Sequence, residues 1–470
     1  MDFAKLIFDS AISEDGEFVS NGNFRAWFED RQNSHRFVIE PIRFDEMVKW
    51  SLDSTSGRIL HESGRFFSID GLKGSAFGSL GEFVFEQPII NQPEVGYLGF
   101  ISKVFNGTLY FLVQAKMEPG NINMIQISPT LQATRSNFTR VHKGRAPYYL
   151  DYFNGKIKSK VIFDSLESEQ GARFFRKRNR NIVVLVGEGV EVPVYDDYCW
   201  LTLGQIHSLI KTDNIVNMDA RSVIACLPFL CEKADGGYAS KVSKSLMSHE
   251  SCAVYSDMEL LSWFAEQKFG NQVSVVSKRL DELDKWIVGD REIYHEEGKC
   301  FSVGACRVEA TSREVFSWTQ PVVKPCEHGL FCFITKTIGD VLHVLVQAKT
   351  EPGIQDIVEI GPTVHCNMGG WSEDREVAGI PFLSYVLSAP SSAIRFDALQ
   401  SEEGGRFFRE ENRNLIIEVG DDFSDEVPSN YVWMTLAQLK RFVRYNNFVN
   451  VEARSLISCM GLYEGFYNEA

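Results

Sequence analysis

The chain lacks cysteine where a cysteine-based fold would need it. None of its ten cysteines lies before Cys199, and no two of them are spaced as a C-x-x-C pair. A disulfide framework or a structural zinc site depends on such residues, so neither is expected to hold this fold. Reduced thiols favour a cytoplasmic protein.

Positive charge and long apolar runs are also scarce. The net charge is −15, from 48 Lys and Arg against 63 Asp and Glu, whereas a general nucleic-acid binder needs a basic surface. No apolar run approaches bilayer-spanning length, and the first residues resemble no signal peptide. We therefore expect neither a nucleic acid nor a membrane as partner, while a local basic cluster for one anionic small ligand stays possible.

An internal duplication is the main feature that the sequence does have. Residues 112–120 read LVQAKMEPG and residues 345–353 read LVQAKTEPG, so Leu112 corresponds to Leu345 at an offset of 233. The same offset relates Arg173–Arg176 to Arg406–Arg409. A nearly gapless repeat of this length indicates a duplicated domain. Each copy is thus a control for the other, and features of one copy alone are candidates for function.

The repeat divides the chain into four predicted segments. These are an N-terminal arm at 1–34 without a counterpart, a first repeat at 35–231, a linker segment at 232–272 and a second repeat at 273–466. In the arm, Phe24, Trp27 and Phe28 are the expected docking residues. The content of 44% hydrophobic and 24% charged residues is that of a globular chain.

Local patterns predict an α+β fold in each copy, with a mixed or antiparallel sheet packed against helices. Short helices are predicted at 45–50 and 281–286, each followed by a strand, at 61–69 and 295–303. Alternation predicts a hairpin of strands 110–117 and 124–134 around Pro119-Gly120. Capping patterns predict helices over 164–178 and its counterpart, and helices beginning at Thr202 and Thr435.

Polar residues share one face of the predicted hairpin. Alternation puts Gln114, Lys116 and Glu118 together on the first strand. The facing residues are Gln126, Ser128, Thr130, Gln132 and Thr134 in the first copy. In the second copy they include Lys349, Glu351, Thr363, His365 and Asn367. Two interpretations are open, a solvated sheet face and the floor of a binding pocket, and the near-identity of the two copies favours the pocket.

The copies differ most just after this hairpin. The stretch 134–145 is cationic, with Arg135, Arg140 and Lys143, whereas its counterpart 367–378 is acidic. Basic groups with nearby hydroxyls suit a phosphate or diphosphate, although a solvated charge run is the alternative. Tyr148 and Tyr149 follow and could stack a nucleobase or pack in the core.

The segments 114–121, 126–130 and 132–142 resemble the signature of the NDP-hexose 2,3-dehydratases, and the likeness extends over nearly the whole chain. The resemblance implies a homodimer whose halves each have a Nudix-hydrolase-like fold. It implies a dTDP-sugar pocket in each half, with one working site, and the substrate dTDP-4-keto-6-deoxyglucose in deoxysugar biosynthesis. A 3-ketoreductase would then consume the product.

The Nudix likeness concerns fold and not chemistry, because the carboxylate-rich metal-binding helix of those hydrolases has no match at 173–178. The implied substrate carries its own C4 ketone as electron sink, so no cofactor or metal is expected. Lys116, Glu118, His142 and Tyr148 are the candidates for proton transfer and enolate stabilisation, and Arg173 is a candidate substrate ligand of the first-half pocket. A non-catalytic nucleotide-sugar binder and a Nudix-type hydrolase are the rival functions.

Overall fold

The computed structural model describes residues 3–78, 81–139, 146–228, 237–312, 315–367 and 379–461. Two similar α+β halves follow one another, as the repeat predicts. We call residues up to 228 the first half and residues from 237 the second half. No helix within the described ranges is both long and apolar enough to cross a membrane. Likeness to the Nudix fold stays a prediction.

Each half contains a large sheet, a small sheet and flanking helices. The first-half elements are α1 Phe3–Ala11, α2 Asn21–Ser34, β1 Phe37–Ile42, β2 Trp50–Leu52, β3 Ile59–His61, β4 Ser68–Gly78, β5 Gly81–Asn91, β6 Gly96–Phe105, β7 Thr108–Met117, β8 Ile125–Ser128, β9 Leu131–Ala133, α3 Arg135–Phe138, α4 Leu150–Phe153, β10 Lys160–Ser168, β11 Arg178–Leu185, β12 Tyr198–Thr202, α5 Leu203–Ile210 and α6 Met218–Ala225.

The second half repeats this order. Its elements are α7 Gly237–Leu246, α8 Asp257–Gly270, β13 Gln272–Lys278, β14 Trp286–Val288, β15 Glu292–His295, β16 Phe301–Ala310, β17 Ser317–Pro325, β18 Gly329–Ile338, β19 Val341–Lys349, β20 Glu359–Gly361, β21 Val364–Asn367, α9 Leu383–Leu387, β22 Ile394–Ser401, β23 Glu411–Val419, β24 Tyr431–Thr435, α10 Leu436–Phe442 and α11 Val451–Cys459.

The two large sheets are mixed and have the same topology. In the first half the strands run β10-β11-β6-β7-β12, with β8 added to β7 and β9 added to β6; the second-half strands pair in the same way. One face of β7 carries the alternating residues Leu109, Phe111, Val113, Ala115 and Met117 of the main core. The opposite face begins with apolar Tyr110 and Leu112 and continues with Gln114 and Lys116, so the sheet itself directs the polar residues into one region.

The small sheets exchange strands between the halves. β1 of the first half pairs antiparallel with β16 of the second, from Phe37 opposite Ala310 to Ile42 opposite Ala305. β13 of the second half pairs in turn with β4 of the first. The core between these sheets combines residues of both halves, including Trp50 and Phe174 with Trp286 and Phe407. Each half therefore depends on the other for a complete small sheet.

A second contact between halves explains the duplicated Pro-Gly turn. The backbone N–H of Gly120 donates to Gly404 O at 2.7 Å, and the mirror bond joins Gly353 to Gly171 at 2.7 Å. A Cβ on Gly120 would lie 1.5 Å from Phe407 O. The turn is so close to the backbone of the other half that only glycine fits. Retention of this turn in both copies thus has a structural reason and does not by itself indicate a pocket.

The N-terminal arm does have a counterpart, contrary to the sequence-based expectation. Ser10 Oγ donates to Leu109 O at 2.6 Å and accepts from Leu203 N at 2.9 Å. Ser245, in the predicted linker segment, makes the equivalent bonds to Leu342 O at 2.5 Å and Leu436 N at 2.8 Å. The helices α7 and α8 thus take the place that α1 and α2 take in the first half. The sequence comparison missed this correspondence because the two helix pairs resemble each other only on their buried faces.

The docking residues predicted for the arm do pack. Phe24 and Phe28 are buried in the main core, and the Trp27 indole donates to Asp196 O at 3.3 Å. Trp263 of α8 donates to Ser429 O at 2.9 Å, which is the equivalent place in the second half. The outer limits of the predicted domains stay a prediction.

The helices predicted over 164–178 and its counterpart are wrong. Residues 160–168 form β10, and the capping-box pattern of Asp164 and Glu167 lies in this strand. Asp164 instead accepts a hydrogen bond from Arg180 Nε at 2.7 Å across the β10–β11 pair, and Asp397 and Arg413 repeat it at 2.7 Å. Glu167 is buried against Arg454 of the second half at 3.3 Å. Contacts between strands and halves thus override the local signal.

The helices and strands predicted for the segments before β4 and β16 are partly wrong. The expected helices at 45–50 and 281–286 shrink to single 3₁₀ turns, Phe44–Glu46 and Leu280–Glu282, because Trp50 and Trp286 begin strands. The expected strands 61–69 and 295–303 are each broken after the histidine. Gly64 and Gly298 take positive φ angles of 61° and 67° there and turn the chain. The capping boxes at Thr202 and Thr435 are confirmed.

The hairpin around Pro119-Gly120 is confirmed, with its second strand in two pieces. β8 pairs with β7, so that Lys116 lies opposite Gln126. Pro129 interrupts the strand, and β9 then pairs with β6 instead.

Candidate active site

A buried polar cluster lies at the end of β7. Lys116 Nζ donates to Gln132 O at 3.1 Å and lies 3.5 Å from Glu118 Oε1. Gln132 Nε2 lies 3.1 Å from both Glu118 oxygens, and its Oε1 accepts from Asn217 Nδ2 at 3.1 Å. Lys116 is 7% exposed and Glu118 is 4% exposed, so the interpretation of this face as solvated is wrong.

Residues of the second half complete this cluster. A Cβ on Gly404 would lie 3.1 Å from Glu118 Cβ, so the 403–406 loop contacts the end of β7 directly. Arg406 donates through Nη1 to Glu403 Oε1 at 2.8 Å and through Nη2 to Gln92 Oε1 at 2.7 Å. The cluster is therefore built from both halves.

Asp219, in the first turn of α6, adds a further acid. It is 4% exposed, and its Oδ1 has no hydrogen-bond partner among the described residues. Burial, followed by the carboxyl groups of Glu169, Glu403 and Glu118, raises the pKa of Asp219 well above its usual range, although Lys116 opposes this shift. Its protonated form is therefore favoured relative to that of an exposed aspartate.

Glu169 and Lys177 extend the cluster toward β11. Lys177 Nζ donates to Glu94 O at 2.5 Å and to Asn179 Oδ1 at 3.0 Å. Burial raises the pKa of Glu169, and burial together with Arg406 lowers the pKa of Lys177. We call the following set the first-half cluster: Lys116, Glu118, Gln132, Asn217, Asp219, Glu169 and Lys177, with Glu403 and Arg406 of the second half.

The second half has a related cluster with different charges. Lys349 Nζ donates to His365 O at 3.0 Å, and His365 Nε2 lies 3.6 Å from Glu351 Oε1. Burial, then Lys349 and Arg173, holds the pKa of His365 well below its usual range, so the ring is neutral and this contact is no ion pair. Its other members are Glu402, Glu410 and Glu452, with Gln170 and Arg173 of the first half. We call this set the second-half cluster.

Arg173 lies away from the first-half pocket to which its sequence position assigned it. Its charge acts on Glu351, His365 and Glu410 of the second-half cluster. Its guanidinium also lies 4.2 Å from the ring centroid of Phe301, which belongs to the second half. The assignment to the first pocket is wrong because the 171–176 loop crosses to the other half, as the 404–409 loop does in reverse.

Several predicted ligands are engaged in the fold itself. Thr130 Oγ1 donates to Leu112 O and accepts from Ile101 N at 2.9 Å, and Thr363 makes the same two contacts. Tyr149 is buried and donates to Pro193 O at 2.7 Å. Ser128 donates to Pro129 O at 3.1 Å. These side chains bridge strands and pack the core, which was the alternative open for Tyr149.

The other predicted residues lie around the cluster. Gln126 is fully buried and its Oε1 accepts from Ser401 Oγ of the second half at 2.8 Å. Thr134 Oγ1 is 2.9 Å from Ser136 Oγ at the start of α3, and Arg135 beside it is exposed. Tyr148 stacks on Tyr195 with ring centroids 4.1 Å apart.

Some predicted residues have little or no description. Half-buried Gln114 lies opposite Tyr198 and Ser128 in the sheet. Asn367 is placed by its backbone, which pairs with Gly329. Arg140, His142 and Lys143 lie outside the described residues.

Comparison with known proteins agrees with this duplicated architecture. The sequence model of the NDP-hexose 2,3-dehydratase family matches residues 21–227 and 257–460, so each match begins at the second helix of a half. The chain belongs to the NDP-hexose 2,3-dehydratase family. Dehydration of a nucleotide sugar is the reaction for which this family is named.

Full-length relatives carry a more specific name. Proteins named dTDP-4-dehydro-6-deoxy-alpha-D-glucopyranose 2,3-dehydratase are 43% identical over 461 residues in Saccharopolyspora spinosa and 41% identical over 463 residues in Amycolatopsis orientalis. The alignments cover 96% and 98% of this chain and 93% and 94% of those proteins. A Streptomyces violaceoruber protein of the same name is 43% identical over 446 residues, covering 94% of this chain and 97% of its own.

An NDP-hexose 2,3-dehydratase needs a base, an acid and a group that stabilises an enolate. Sequence reasoning singled out Lys116 and Glu118 as candidates, and the structure adds Asp219, Glu403 and Arg406 to the same cluster. A signal for Asp219 was present, since an acid precedes the duplicated Ala-Arg-Ser motif in both copies, as Asp219 and Glu452. No comparable signal could bring Glu403 and Arg406 to the first-half site, because that contact depends on how the halves interlock. No metal-binding group of His, Cys, Asp and Glu occurs among the described residues.

Proposed function

We propose that this chain is a hydro-lyase that removes water across C2 and C3 of dTDP-4-keto-6-deoxyglucose, giving a 3,4-diketo-2,6-dideoxy sugar nucleotide for deoxysugar biosynthesis. The observation that carries the proposal is the buried Lys116–Glu118–Gln132 cluster in a chain of this family. The names of full-length relatives support the choice of substrate.

The proposed mechanism uses the ketone of the substrate as electron sink. Glu118 removes the C3 proton, and the resulting enolate places charge on O4, where the ammonium of Lys116 stabilises it. Loss of the C2 hydroxyl as water leaves an enol, which tautomerises to the 3,4-diketone. Every step is acid–base chemistry, so we expect no added cofactor or metal to be required.

The working site is proposed to be in the first half. Lys177 in the first-half cluster corresponds to Glu410 in the second, and Glu403 corresponds to Gln170, so each cluster has four carboxyl groups but the first has three cations and the second has two. By sequence, the stretch 134–145 adds cationic residues that the second half lacks. A dTDP-sugar carries a diphosphate, which is favoured by the more cationic surroundings.

One incubation tests the reaction against its rivals. The protein is mixed with dTDP-4-keto-6-deoxyglucose and a 3-ketoreductase that traps the labile diketone, and products are followed by mass spectrometry. Loss of water is expected. Unchanged substrate would favour a non-catalytic nucleotide-sugar binder, and released nucleoside monophosphate would favour a Nudix-type hydrolase. A parallel sample dialysed against chelator is expected to dehydrate at the same rate, and activity restored only by added metal would contradict the metal-free mechanism.

A charge-exchange variant tests the location. Arg135→Met with Arg140→Glu gives the first half the residues of the second. Loss of a charge-assisted contact to the diphosphate is expected to cost about 1.5–3 kcal/mol for each residue that makes one. The control pair, Lys349→Ala with His365→Ala, is expected to leave turnover within a few-fold. Normal turnover of the first variant, or collapse of the second at unchanged melting temperature, would contradict the assignment.

We also infer a homodimer, as the family resemblance implies. Phe77, Val84 and Val276 are 58%, 65% and 58% exposed and share one face at the end of the first small sheet. These exposed apolar side chains, with Ser75 and Lys73 between them on the same face, favour contact with another copy. Light scattering gives the mass directly, and a monomer at micromolar concentration would contradict the inference.

A further inference from the structure

The first-half cluster holds more acids than bases. Its carboxyl groups are Glu118, Glu169, Asp219 and Glu403, and its cations are Lys116, Lys177 and Arg406. These side chains are buried or, for Arg406, 14% exposed. Ionising every member would leave one buried negative charge in excess, and an uncompensated buried carboxylate is strongly unfavourable. The cluster therefore retains one proton.

Hydrogen bonding indicates which carboxyl group holds that proton. Glu403 accepts from Arg406 Nη1 at 2.8 Å and from the backbone N–H groups of Gly405 and Arg406 at 3.0 and 2.9 Å. Glu118 accepts from Gln132 and lies beside Lys116. Both groups are thus stabilised as carboxylates.

Asp219 differs from these two acids. Its Oδ1 has no hydrogen-bond partner among the described residues, and the carboxyl groups of Glu169, Glu403 and Glu118 face it. Repulsion between like charges in a dry environment favours the neutral form of the group that has the weakest compensation. Glu169 also has an oxygen, Oε2, without a partner among the described residues, but its Oε1 accepts from Asn179 Nδ2 and the charge of Lys177 compensates it. Asp219 is therefore the group with the weakest compensation, and Lys116 is the cation that faces it.

We propose that Asp219 is a positioning residue of the first-half site. Asp219 holds the proton that the Lys116–Glu118 pair exchanges with the substrate, and the Glu403–Arg406 pair of the second half keeps that proton on Asp219. This proposal rests on the proposed dehydration. In this proposal, residues of the second half help to decide which group of the first-half site holds the proton.

The proton balance closes within the cluster. Glu118 takes the C3 proton, and the C3–H electron pair becomes the C3–C4 double bond of the enolate. The C4 carbonyl then re-forms, the C2–C3 double bond forms and the C2–O bond breaks. The proton held by Asp219 passes through the Lys116–Glu118 pair to the departing oxygen, and the proton from C3 replaces it at Asp219. One proton enters and one leaves as part of water, so no oxidant, reductant or co-reactant is needed.

The mirror position provides a matched control. Glu452 in the second-half cluster is also buried, and burial together with Glu351 and Glu402 raises its pKa well above the usual range. A general loss of a buried carboxyl group therefore occurs in both Asp219→Asn and Glu452→Gln. Only the first change removes the proton from the proposed working site.

The experiment separates C3 proton exchange from dehydration. Full-length Asp219→Asn is assayed for deuterium incorporation at C3 and for trapped product. Exchange is expected to remain within a few-fold of wild type, because Glu118 is intact, whereas kcat for dehydration falls about 100-fold or more with KM nearly unchanged. Asp219→Glu, which supplies the residue of the second half, is expected to recover activity to within about tenfold.

Other outcomes would overturn the proposal. These are an Asp219→Asn variant that dehydrates within about threefold of wild type, a parallel fall of exchange and dehydration, and the same split in Glu452→Gln. If Asp219→Asn does not fold, Glu403→Gln is tested instead, because the corresponding residue of the other half is Gln170. This change removes the excess acid of the first-half cluster. It must raise the ratio of C3 exchange to dehydration. A wild-type protein that forms no water would instead contradict the proposed function.

Discussion

Glu118 and Lys116 lie side by side at the end of a strand, and each has a defined hydrogen-bonding neighbour in Gln132. This arrangement holds a carboxyl group and an ammonium group in place with little exposure to solvent. A substrate ketone near Lys116 would place its C3 proton within reach of Glu118, and fixed geometry of this kind is what general-base catalysis requires.

Replacement of Glu118 by Gln is the most direct test of the base. The amide keeps the size and most of the hydrogen-bonding shape but cannot accept the C3 proton. We expect kcat to fall by about 10²–10⁴-fold with little change in KM, and C3 exchange into deuterated water to fall with it. Exchange and dehydration at the wild-type rates would show that another group is the base, and His142 and Tyr148 would be tested next.

Glycine 120 is the residue whose replacement should harm the fold most directly. A Cβ there would be 1.5 Å from Phe407 O of the other half, and Ala at this position is expected to destabilise the protein by about 3 kcal/mol or more. The control is Gly22→Ala in α2, where nothing lies within 4 Å of the added Cβ. It is expected to be neutral or stabilising by up to about 1 kcal/mol. Similar urea midpoints for both variants would contradict the close contact.

At the scale of single residues, the sequence predicted part of the site. Period-two alternation placed Lys116 and Glu118 on one face, and the structure finds them adjacent. Thr130 and Tyr149 were expected to bind substrate, but their polar groups are used by the backbone, which no alternation pattern reveals. Arg173 was assigned to the wrong half because sequence position does not show where a crossing loop ends.

The elements differ in how well local signals predict them. The capping boxes at Thr202 and Thr435 are confirmed because their hydrogen bonds form within one helical turn. The same kind of pattern at Asp164 failed because the competing contacts, Arg180 across the sheet and Arg454 across the halves, are distant in sequence. The correspondence between the α1–α2 arm and α7–α8 escaped notice for a related reason, since few buried positions define it.

Strand β20 provides a prediction on the pH dependence of stability. Glu359 is 1% exposed, and burial raises its pKa to about 8. A carboxyl group with a folded-state pKa above its unfolded value near 4.5 stabilises the fold fully at low pH, and this contribution is lost as pH rises toward 8. The mirror residue on β8 is Gln126, which shows that an amide fits.

Glu359→Gln should therefore gain stability over wild type as pH rises. We expect the two proteins to be similar at pH 5 and the variant to be more stable by up to a few kcal/mol at pH 8. Urea unfolding at pH 5, 6.5 and 8 measures the difference, and the other titrating groups cancel because both proteins contain them. A difference that is constant with pH, or one that reverses in sign, would contradict the raised pKa.

The whole molecule consists of two copies of one unit, and the small sheet of each copy includes a strand of the other. The duplication and the α+β class could be read from the sequence, because both depend on residue identity and local pattern. The exchange of β1 and β13 and the sharing of Glu403 and Arg406 could not, since a repeat shows that two units are alike and not how they interlock. The buried arginines are part of this connection. Arg221 donates to Ser455 Oγ at 2.8 Å, and Arg454 donates to Ser222 Oγ at 2.9 Å.

This interlocking predicts one unfolding transition for the two halves. Each small sheet contains a strand of the other half, and the core between them includes Trp50 and Phe174 with Trp286 and Phe407. Unfolding of either half would remove a strand and core contacts from the other, so neither is expected to stay folded alone. Hydrogen exchange followed by mass spectrometry through a urea series should show β7 and β19 losing protection at the same urea concentration. Gly120→Ala should lower both midpoints together, although the turn at Gly120 belongs to the first half. Separate midpoints, or a shift confined to one half, would show that the exchanged strands do not couple the halves energetically.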